Sequence, residues 1–223
     1  MDNKLLRIFS CYNNFKNRAK FGISFGHCVR VNNLIVIGHP DQNSFCYNGI
    51  YKTIKKSLAE DSNQKIKIID LYRDSFTRPR NKLIESYKKL VSWSNRLYIV
   101  SPVWWFRLTP RMEIFFDEVF EPGFAYKFIN ITKLYAYPKP MLSDKKVRTY
   151  VTHGAPALPV LTLYVNSVKL RLVMGVYTFV FGWRLSLFTK TKQFWSVPFV
   201  SENKRKKYLN RVIKDIKSDL REG

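Results

Sequence analysis

The segment Leu34–Ser44, which reads LIVIGHPDQNS, constrains the fold more than any other part of the chain. Leu34–Ile37 is an apolar run rich in β-branched residues, which predicts a buried parallel strand. A polar turn follows, and from Ser44 onward the apolar residues have helical spacing. A strand that feeds a helix in this way aims backbone N–H groups and the positive end of the helix dipole at one point. The turn is therefore predicted to bind a phosphate group, although neither a GxGxxG nor a Walker motif is present.

Strand and helix patterns alternate along the rest of the chain. Short runs rich in apolar residues predict strands at Leu34–Ile37, Ile66–Asp70, Leu97–Val100, Val147–Thr152 and Phe194–Val200. Helical spacing predicts helices at Ser44–Glu60, Ile84–Trp93 and Met112–Phe120, and a last amphipathic helix capped by Ser201. This alternation is typical of a parallel α/β sheet. We expect one α/β domain over residues 33–223, preceded by a basic N-terminal extension, residues 1–32, that could be disordered or a targeting peptide.

The segment Leu158–Phe188 is strongly apolar, but Lys169, Arg171 and Arg184 interrupt it. Its longest uninterrupted part, Leu172–Trp183, has about a dozen residues, whereas a membrane-spanning helix needs about 20. We therefore expect a buried or interface helix in this segment rather than a transmembrane one.

The chain has a formal net charge of +23, from 39 Lys and Arg against 16 Asp and Glu. Three explanations compete: a nucleic acid, an anionic membrane surface, or a lysine-rich composition with no partner behind it. No nucleic-acid-binding motif accompanies the charge, so we do not expect a nucleic acid partner. Cys11, Cys28 and Cys46 lack metal or disulfide spacing, which favours a reducing compartment. We expect a cytoplasmic protein that could associate peripherally with the inner face of a membrane.

Two more predicted strand ends carry side chains suited to a ligand. Trp104, Trp105 and Phe106 follow the third strand on a loop, where such rings can wall in a flat heteroaromatic ring. The alternative for them is a hydrophobic lid or a dimer contact. After the fourth strand, the Thr152 hydroxyl and the backbone N–H groups near Gly154 could bind the polar edge of such a ring. Because parallel strands end at the same edge of a sheet, these features predict a single site.

Four motifs in the right order and spacing make the chain resemble a known family. They are IVIGHPDQNSF (Ile35–Phe45), SPVWWFRLTP (Ser101–Pro110), DEVFEPGFAY (Asp117–Tyr126) and THGAP (Thr152–Pro156). The chain resembles the flavodoxin-like NAD(P)H:quinone reductases, which include DT-diaphorase, the modulator-of-drug-activity proteins and the ancillary flavoproteins of glutathione-gated potassium efflux. The resemblance covers nearly everything after Asn32. It implies a flavodoxin-like five-stranded parallel sheet in the order 2-1-3-4-5, with helices on both faces, and a homodimer.

The same resemblance implies a cofactor, a set of binding residues and a reaction. It assigns the flavin phosphate to His39, Ser44, Phe45 and Cys46, the isoalloxazine to Pro102, Val103, Trp104, Trp105 and Phe106, and the pyrimidine edge of the ring to Thr152, His153 and Gly154. The implied cofactor is FMN or FAD, without a metal, and NAD(P)H is the implied co-substrate. Hydride would pass from NAD(P)H through the flavin to a quinone or another small electrophilic acceptor.

The chain also departs from the family's pattern. Relatives of the DT-diaphorase type have a Tyr and then a His shortly after the loop that corresponds to Thr152–Gly154, whereas here Pro159 stands nearest the Tyr and no His follows His153. His153 is a weak candidate catalyst, because a lone His in a strand-end loop is more often solvated or capping. These departures keep an alternative open: a catalytically degraded, flavodoxin-like ancillary or regulatory subunit of a membrane transporter.

Overall fold

The computed structural model describes residues 30–130, 134 and 136–222. Its strands are β1 (Val31–Ile37), β2 (Gln64–Asp70), β3 (Arg96–Trp104), β4 (Arg107–Leu108), β5 (Tyr126–Asn130), β6 (Ala136–Pro140), β7 (Lys146–Thr152) and β8 (Thr191–Phe194). Its helices are α1 (Lys52–Ala59), α2 (Asn81–Trp93), α3 (Pro110–Val119), α4 (Ala157–Leu161), α5 (Ser167–Leu170), α6 (Thr178–Phe181), α7 (Leu185–Lys190) and α8 (Glu202–Arg221). Two π-helical segments, Phe45–Tyr51 and Arg171–Tyr177, lead into α1 and α6.

Five of the strands form one parallel sheet in the order β2–β1–β3–β7–β8. Because β7 and β8 are the fourth and fifth parallel strands along the chain, the predicted order 2-1-3-4-5 is confirmed. β4 pairs with the end of β3, and β5 and β6 form a separate antiparallel hairpin. The predicted extension, residues 1–32, lies outside the described residues except for residues 30–32, and β1 already begins at Val31.

A hydrophobic layer covers each face of the sheet, which explains why β1 is apolar at consecutive positions. Leu34 and Val36 belong to one layer and Ile35 and Ile37 to the other, and all four are fully buried. Side chains of α1 and α8 complete the layer around Ile35 and Ile37. Side chains of α2, α3 and the Arg171–Tyr177 segment complete the opposite layer.

The fifth strand differs from the predicted Phe194–Val200, and that prediction is wrong beyond Phe194, where β8 ends. The chain turns there because Ser196 adopts a positive φ of 52°, which an extended strand does not allow. The N–H group of Val197 then donates to the carbonyl of His153 at 2.9 Å. The residues after β8 consequently fold over the end of β7 instead of extending the sheet.

The apolar segment Leu158–Phe188 forms a series of short helices rather than one. The chain changes direction at Asn166 and Gly182, whose φ angles are positive at 50° and 82°. Between these turns, residues such as Leu172 and Phe181 are fully buried against the sheet. The expectation of buried helix is therefore confirmed for the central part of the segment only. Within the ranges that the structure describes, no helix has both the length and the apolar character to cross a membrane.

Much of the positive charge lies on the outer faces of α1 and α8, which cover the same face of the sheet. The exposed basic side chains of these two helices are Lys52, Lys55, Lys56, Lys204, Lys206, Lys207, Arg211, Lys214, Lys217 and Arg221. Their apolar residues face the sheet, as expected for amphipathic surface helices. The result is a broad cationic surface that extends to the first turns of α8.

A buried ion pair anchors α8 to the sheet. Arg148 on β7 donates two hydrogen bonds to the Asp219 carboxylate, at 2.6 and 2.7 Å. Arg96 on β3 donates to the Asp219 carbonyl at 2.7 Å, and the Tyr98 hydroxyl donates to the carboxylate at 3.2 Å. Burial raises the pKa of Asp219, but the hydrogen bonds and charge of Arg148 outweigh it, so the pKa lies below its ordinary value. Asp219 is therefore charged at neutral pH.

Replacing Asp219 with Asn should lower the free energy of unfolding by about 3–5 kcal/mol, because it leaves Arg148 buried without its main partner. Glu85→Gln, which removes one exposed carboxylate paired with Lys88, should cost less than about 1 kcal/mol. Urea unfolding measured from neutral pH into acid tests both variants.

The pH dependence follows from the direction of the pKa shift. Because the pKa of Asp219 is lower in the folded chain than its ordinary 3.8, its contribution is present above that value and is lost as the pH falls through the folded pKa. The difference between wild type and Asp219→Asn should therefore be constant near neutral pH and shrink in strong acid. A difference that stays the same below the folded pKa would contradict the charged pair.

Candidate functional site

The carboxyl ends of β1, β3 and β7 meet at one edge of the sheet, and a cavity of about 640 Å³ opens there. Such crevices are the usual ligand sites of open α/β sheets. The predicted cofactor-binding residues that line this cavity are His39, Ser44, Phe45, Cys46, Pro102, Val103, Trp104, Thr152, His153 and Gly154. The structure thus brings the turn after β1 and the tryptophan loop after β3 together, whereas Trp105 and Phe106 are not among the lining residues.

The turn after β1 ends in a capped helix. Ser44 has an extended conformation, and its hydroxyl oxygen accepts a hydrogen bond from the N–H of Tyr47 at 3.2 Å. Within the turn, the Asp41 carboxylate accepts from the N–H of Asn43 at 2.8 Å. The first N–H groups of a helix have no partner within the helix. The backbone N–H group of Phe45, the residue after the cap, is therefore available to an anion in the cavity.

His39 is a neutral donor at the edge of this turn. Its Nδ1 accepts a hydrogen bond from the N–H of Asp41 at 3.0 Å, so the proton of the neutral ring lies on Nε2. Burial lowers the pKa of His39, and the nearby Asp41 carboxylate opposes this only in part. At neutral pH His39 therefore offers a hydrogen bond rather than a positive charge.

A buried hydrogen bond joins the turn after β1 to the segment that follows β3. The Thr109 hydroxyl donates to the carbonyl of Gly38 at 2.9 Å, and the N–H of Thr109 donates to the Ser101 hydroxyl at 3.4 Å. A side chain at Gly38 would crowd this contact, since a Cβ atom would lie 3.0 Å from the Thr109 hydroxyl oxygen and 3.2 Å from the Met112 Cβ atom. The absence of a side chain at Gly38 thus allows the start of α3 to approach the end of β1.

The loop after β3 is a tight hairpin, Val103–Leu108, which we call the aromatic hairpin. Trp104 pairs with Arg107, so Trp105 and Phe106 alone form the turn, with positive φ angles of 50° and 57°. Two positive φ angles define a type I′ turn, which normally takes residues such as Asn-Gly. Bulky side chains at such angles are strained and persist only when surrounding contacts hold them.

The three aromatic side chains of this hairpin have different surroundings. Trp104 lines the cavity, and its ring meets the edge of His39 at a centroid distance of 6.2 Å. Trp105 is 92% exposed. Phe106 packs against Tyr164, with ring centroids 4.4 Å apart. The expected contact of Trp105 and Phe106 with a bound ring stays a prediction.

Where the end of β7 borders the cavity, the lining contains a buried thiol. The Cys46 thiol and the Thr152 hydroxyl share a hydrogen bond of 3.1 Å, and both side chains are buried. Burial raises the pKa of Cys46 to about 12, although the bond to Thr152 opposes the shift. Cys46 is therefore a packed, protonated thiol. The Thr152 hydroxyl, which was expected to bind the ring edge, is already engaged with it.

The His153 side chain is turned toward the protein interior. Its ring stacks on Trp195 at a centroid distance of 4.3 Å, and the Gln193 amide donates to its Nε2 at 2.9 Å. Burial lowers the pKa of His153 to about 4, so the ring is neutral at physiological pH. By contrast, a Cβ atom on Gly154 would meet nothing within 4 Å. The open part of this loop is therefore at Gly154.

The first turns of α8 form a wall of the cavity that sequence reasoning missed. Arg205 donates to the Glu202 carboxylate at 3.0 Å and to the carbonyl of Val197 at 3.3 Å. The fifth parallel strand could have revealed this wall, because its carboxyl end must lie at the same edge of the sheet as the cavity. The predicted strand ran to Val200, so the turn that follows Phe194 was not recognised. The lining residues that were missed are Asp41, Asn43, Asn48, Gly49, Val197, Pro198, Glu202, Arg205, Lys206 and Leu209. The described residues contain no group of three or more His, Cys, Asp or Glu side chains suited to a metal ion.

The sequence identifies the family. Residues 32–161 match the family described as having a flavodoxin-like fold, and this chain belongs to that family. No curated protein sequence matches the chain significantly.

Several solved structures share the fold with this chain. A Streptococcus mutans protein is 22% identical, with a TM-score of 0.70 over 84% of this chain and 100% of that one. An NAD(P)H:quinone oxidoreductase from Methanothermobacter marburgensis is 16% identical, with a TM-score of 0.63 over 83% of this chain and 95% of that one. An FMN-dependent NADH-azoreductase from Bacillus anthracis, solved in complex with FMN, is 14% identical, with a TM-score of 0.60 over 84% and 97%. At these identities the similarity demonstrates a common fold.

The buried environment of Cys46 predicts low reactivity. With a pKa of about 12, its thiolate fraction at mildly alkaline pH is on the order of a thousandfold below that of an ordinary cysteine. Iodoacetamide should therefore modify Cys46 at least that much more slowly in the native chain than in the same chain unfolded in urea. Peptide mass spectrometry separates Cys46 from Cys11 and Cys28. Equal rates in the native and unfolded chains would contradict the buried thiol.

Proposed function

We propose that this protein is a flavin-dependent oxidoreductase that passes hydride from NAD(P)H, through bound FMN or FAD, to a quinone or a similar small electrophilic acceptor. The observation that best supports this proposal is that one and the same cavity is lined by the helix cap at Ser44, the Trp104 ring and the loop at Gly154. A flavin requires these three environments: an anion site, an apolar wall and a polar edge. Two solved structures that share the fold, a quinone oxidoreductase and an FMN-dependent azoreductase, support the same class.

The phosphate end of a flavin fits the turn after β1. The backbone N–H of Phe45 and the positive end of the helix dipole favour an anion there. The Ser44 hydroxyl accepts from the helix and still has its own proton to donate. The neutral His39 ring adds one more donor through Nε2. These residues would hold a phosphate through hydrogen bonds, without a lysine in direct contact.

The ring end of a flavin fits between the β3 and β7 strand ends. Pro102, Val103 and Trp104 supply an apolar wall, and Gly154 leaves open space where its side chain would be. Backbone N–H groups beside Gly154 would favour negative charge that develops at the ring edge. The bound flavin supplies the hydride chemistry. The protein's part is to orient the ring, shield one face from water and leave the other face accessible.

The α8 end of the cavity favours FAD over FMN. The cavity continues from Ser44 to Arg205 and Lys206, beyond the place that a single phosphate needs. Lys206 there suits a second phosphate group, Arg205 is held by the Glu202 carboxylate beside it, and Leu209 adds apolar surface. We therefore expect FAD as the cofactor that purifies with the protein.

An apolar rim next to the aromatic hairpin favours a homodimer. Trp105, Leu158, Leu163 and Val165 are highly exposed, and residues 157–167 contain no charged side chain. Monomeric proteins rarely expose clustered apolar side chains of this kind. We propose that a second copy of the chain covers this rim.

The flavin proposal has a direct test. The purified protein should be yellow, release FAD on denaturation and oxidise NAD(P)H when menadione is added. Ser44→Asp should reduce flavin occupancy at least roughly tenfold, because it opposes the phosphate with a like charge. Ser44→Asn is the matched control, since both residues cap a helix well but Asn adds no charge. Absorption spectra measure occupancy, and urea unfolding should show similar stability for both variants.

Two outcomes would contradict these assignments. A chain that stays colourless after incubation with FMN and FAD has no flavin site. If the wild type is yellow and Ser44→Asp keeps full occupancy, the phosphate lies elsewhere in the cavity.

The dimer proposal is tested at the rim. Leu163→Glu should convert the dimer to a monomer at micromolar concentration, because the charge would be buried in the interface. Ala59→Glu adds the same charge on α1, which covers the opposite face of the sheet, and should leave the dimer intact. Sedimentation velocity measures both variants. A wild-type chain that sediments as a monomer at tens of micromolar would rule the dimer out.

A further inference from the structure

We infer that Glu113 on α3 is a positioning residue: its carboxylate holds the aromatic hairpin in the conformation that places Trp104 in the wall of the cavity. The role of this geometry in binding a ligand rests on the proposed flavin function. The contact itself is a property of the chain alone. Glu113 Oε1 accepts a hydrogen bond from the N–H of Leu108 at 2.7 Å and is also paired with the Arg171 guanidinium.

The aromatic hairpin needs such support because its two strands share only one hydrogen-bonded residue pair, Trp104 and Arg107. β4 has only two residues, and it pairs with Val103 and Trp104 at the end of β3. Both turn residues have positive φ angles although neither is Gly, Asn or Asp. Pairing over only two residues stabilises the hairpin too little to offset that strain.

The geometry of the hairpin explains why the N–H of Leu108 requires a partner from outside it. In a two-residue hairpin, Trp104 and Arg107 form the hydrogen-bonded pair next to the turn. The following pair, Val103 and Leu108, is then the non-hydrogen-bonded one, so the N–H of Leu108 points away from β3. Leu108 is only 2% exposed, so water is a poor substitute. Glu113 satisfies this donor.

Arg171 fixes the carboxylate from a different element. It lies at the start of the π-helical segment Arg171–Tyr177, which packs on the same face of the sheet as α3. The same oxygen of Glu113 receives both Arg171 and Leu108. A chain of contacts therefore runs from the Arg171–Tyr177 segment, through α3, to β4, the strand that pairs with Trp104.

An ordinary helix cap is the competing explanation for Glu113. In a capping box, a Glu at the third helical position binds the N–H of the capping residue. Here Glu113 is the fourth helical residue, and it binds the residue before the cap, Leu108, not the cap residue Thr109. A cap stabilises α3 alone, whereas the observed contact stabilises the hairpin. The two explanations predict different effects on the cavity.

The experiment separates the hydrogen bond from the ion pair with three variants. Glu113→Ala removes both, and Glu113→Gln retains an acceptor for Leu108. The exchange of partners, Glu113→Arg with Arg171→Glu, restores opposite charges but gives Leu108 no acceptor. Glu118→Ala is the matched control, because it removes another α3 carboxylate, bound by Arg80 at 2.6 Å, that does not touch the hairpin.

Two quantities are measured for each variant: amide exchange of Leu108 by NMR in the flavin-free chain, and the dissociation constant of FAD. We expect roughly tenfold faster exchange and roughly tenfold weaker FAD binding for Glu113→Ala and for the exchanged pair. Glu113→Gln should stay within about threefold of wild type in both quantities, and Glu118→Ala should match wild type.

Each outcome decides the inference. Wild-type exchange and affinity in Glu113→Ala would overturn it, as would full recovery in the exchanged pair, which would show that the ion pair alone matters. If Glu113→Ala does not fold, the contrast between Glu113→Gln and the exchanged pair decides. A wild-type chain that binds no flavin would defeat the proposed function, while the exchange of Leu108 would still test the contact with Glu113. Changed exchange with unchanged FAD affinity would limit Glu113 to a structural role and overturn the positioning role.

Discussion

The hydrogen bond from the Thr109 hydroxyl to the Gly38 carbonyl is the contact on which the candidate site depends. It joins the end of β1 to the start of α3, and so it sets the distance between the turn after β1 and the aromatic hairpin. Gly38 favours the contact because a Cβ atom there would lie 3.0 Å from the Thr109 hydroxyl oxygen and crowd it. A parallel sheet brings strand ends to a common edge, but this bond and the cap at Ser44 define the space between them.

The chemistry of the cavity is mostly that of neutral donors and buried groups, despite the charge of +23. His39 and His153 are both held neutral by burial, and Cys46 is held protonated. Among the described lining residues, the charged side chains are Asp41 in the turn after β1 and Glu202, Arg205 and Lys206 on α8, where Arg205 is paired with Glu202. The arrangement fits a cofactor with phosphate at one end and an uncharged ring at the other.

Buried parallel strands can be predicted well, because both faces must be apolar and the run is therefore continuous. This is why the strands, and the turns around Ser44 and Trp104 that follow two of them, could be predicted from the residue pattern, whereas the order of the strands in the sheet was implied by the resemblance to a known family. The wall formed by α8 did not, because it depends on the turn at Ser196 and on a bond between Val197 and the carbonyl of His153. The inward position of the His153 ring likewise depends on stacking with Trp195, which no local pattern reveals.

The backbone strain at Trp105 and Phe106 explains why the hairpin depends on Glu113, which accepts the hydrogen bond from the N–H of Leu108. Exposed aromatic residues at left-handed angles are costly, and the cost persists only where the surrounding structure is fixed. The carboxylate of Glu113 provides that fixation from outside the hairpin.

The ion pair between Arg148 and Asp219 lies toward the amino-terminal ends of the strands, far along the sheet from the cavity. The ion pair that anchors α8 is thus separate from the residues that line the cavity. Mutations can accumulate around the cavity, changing what the protein accepts, while the terminal helix stays fastened. Such a division gives the scaffold evolvability: new specificities can arise at one end of the strands without a penalty at the other.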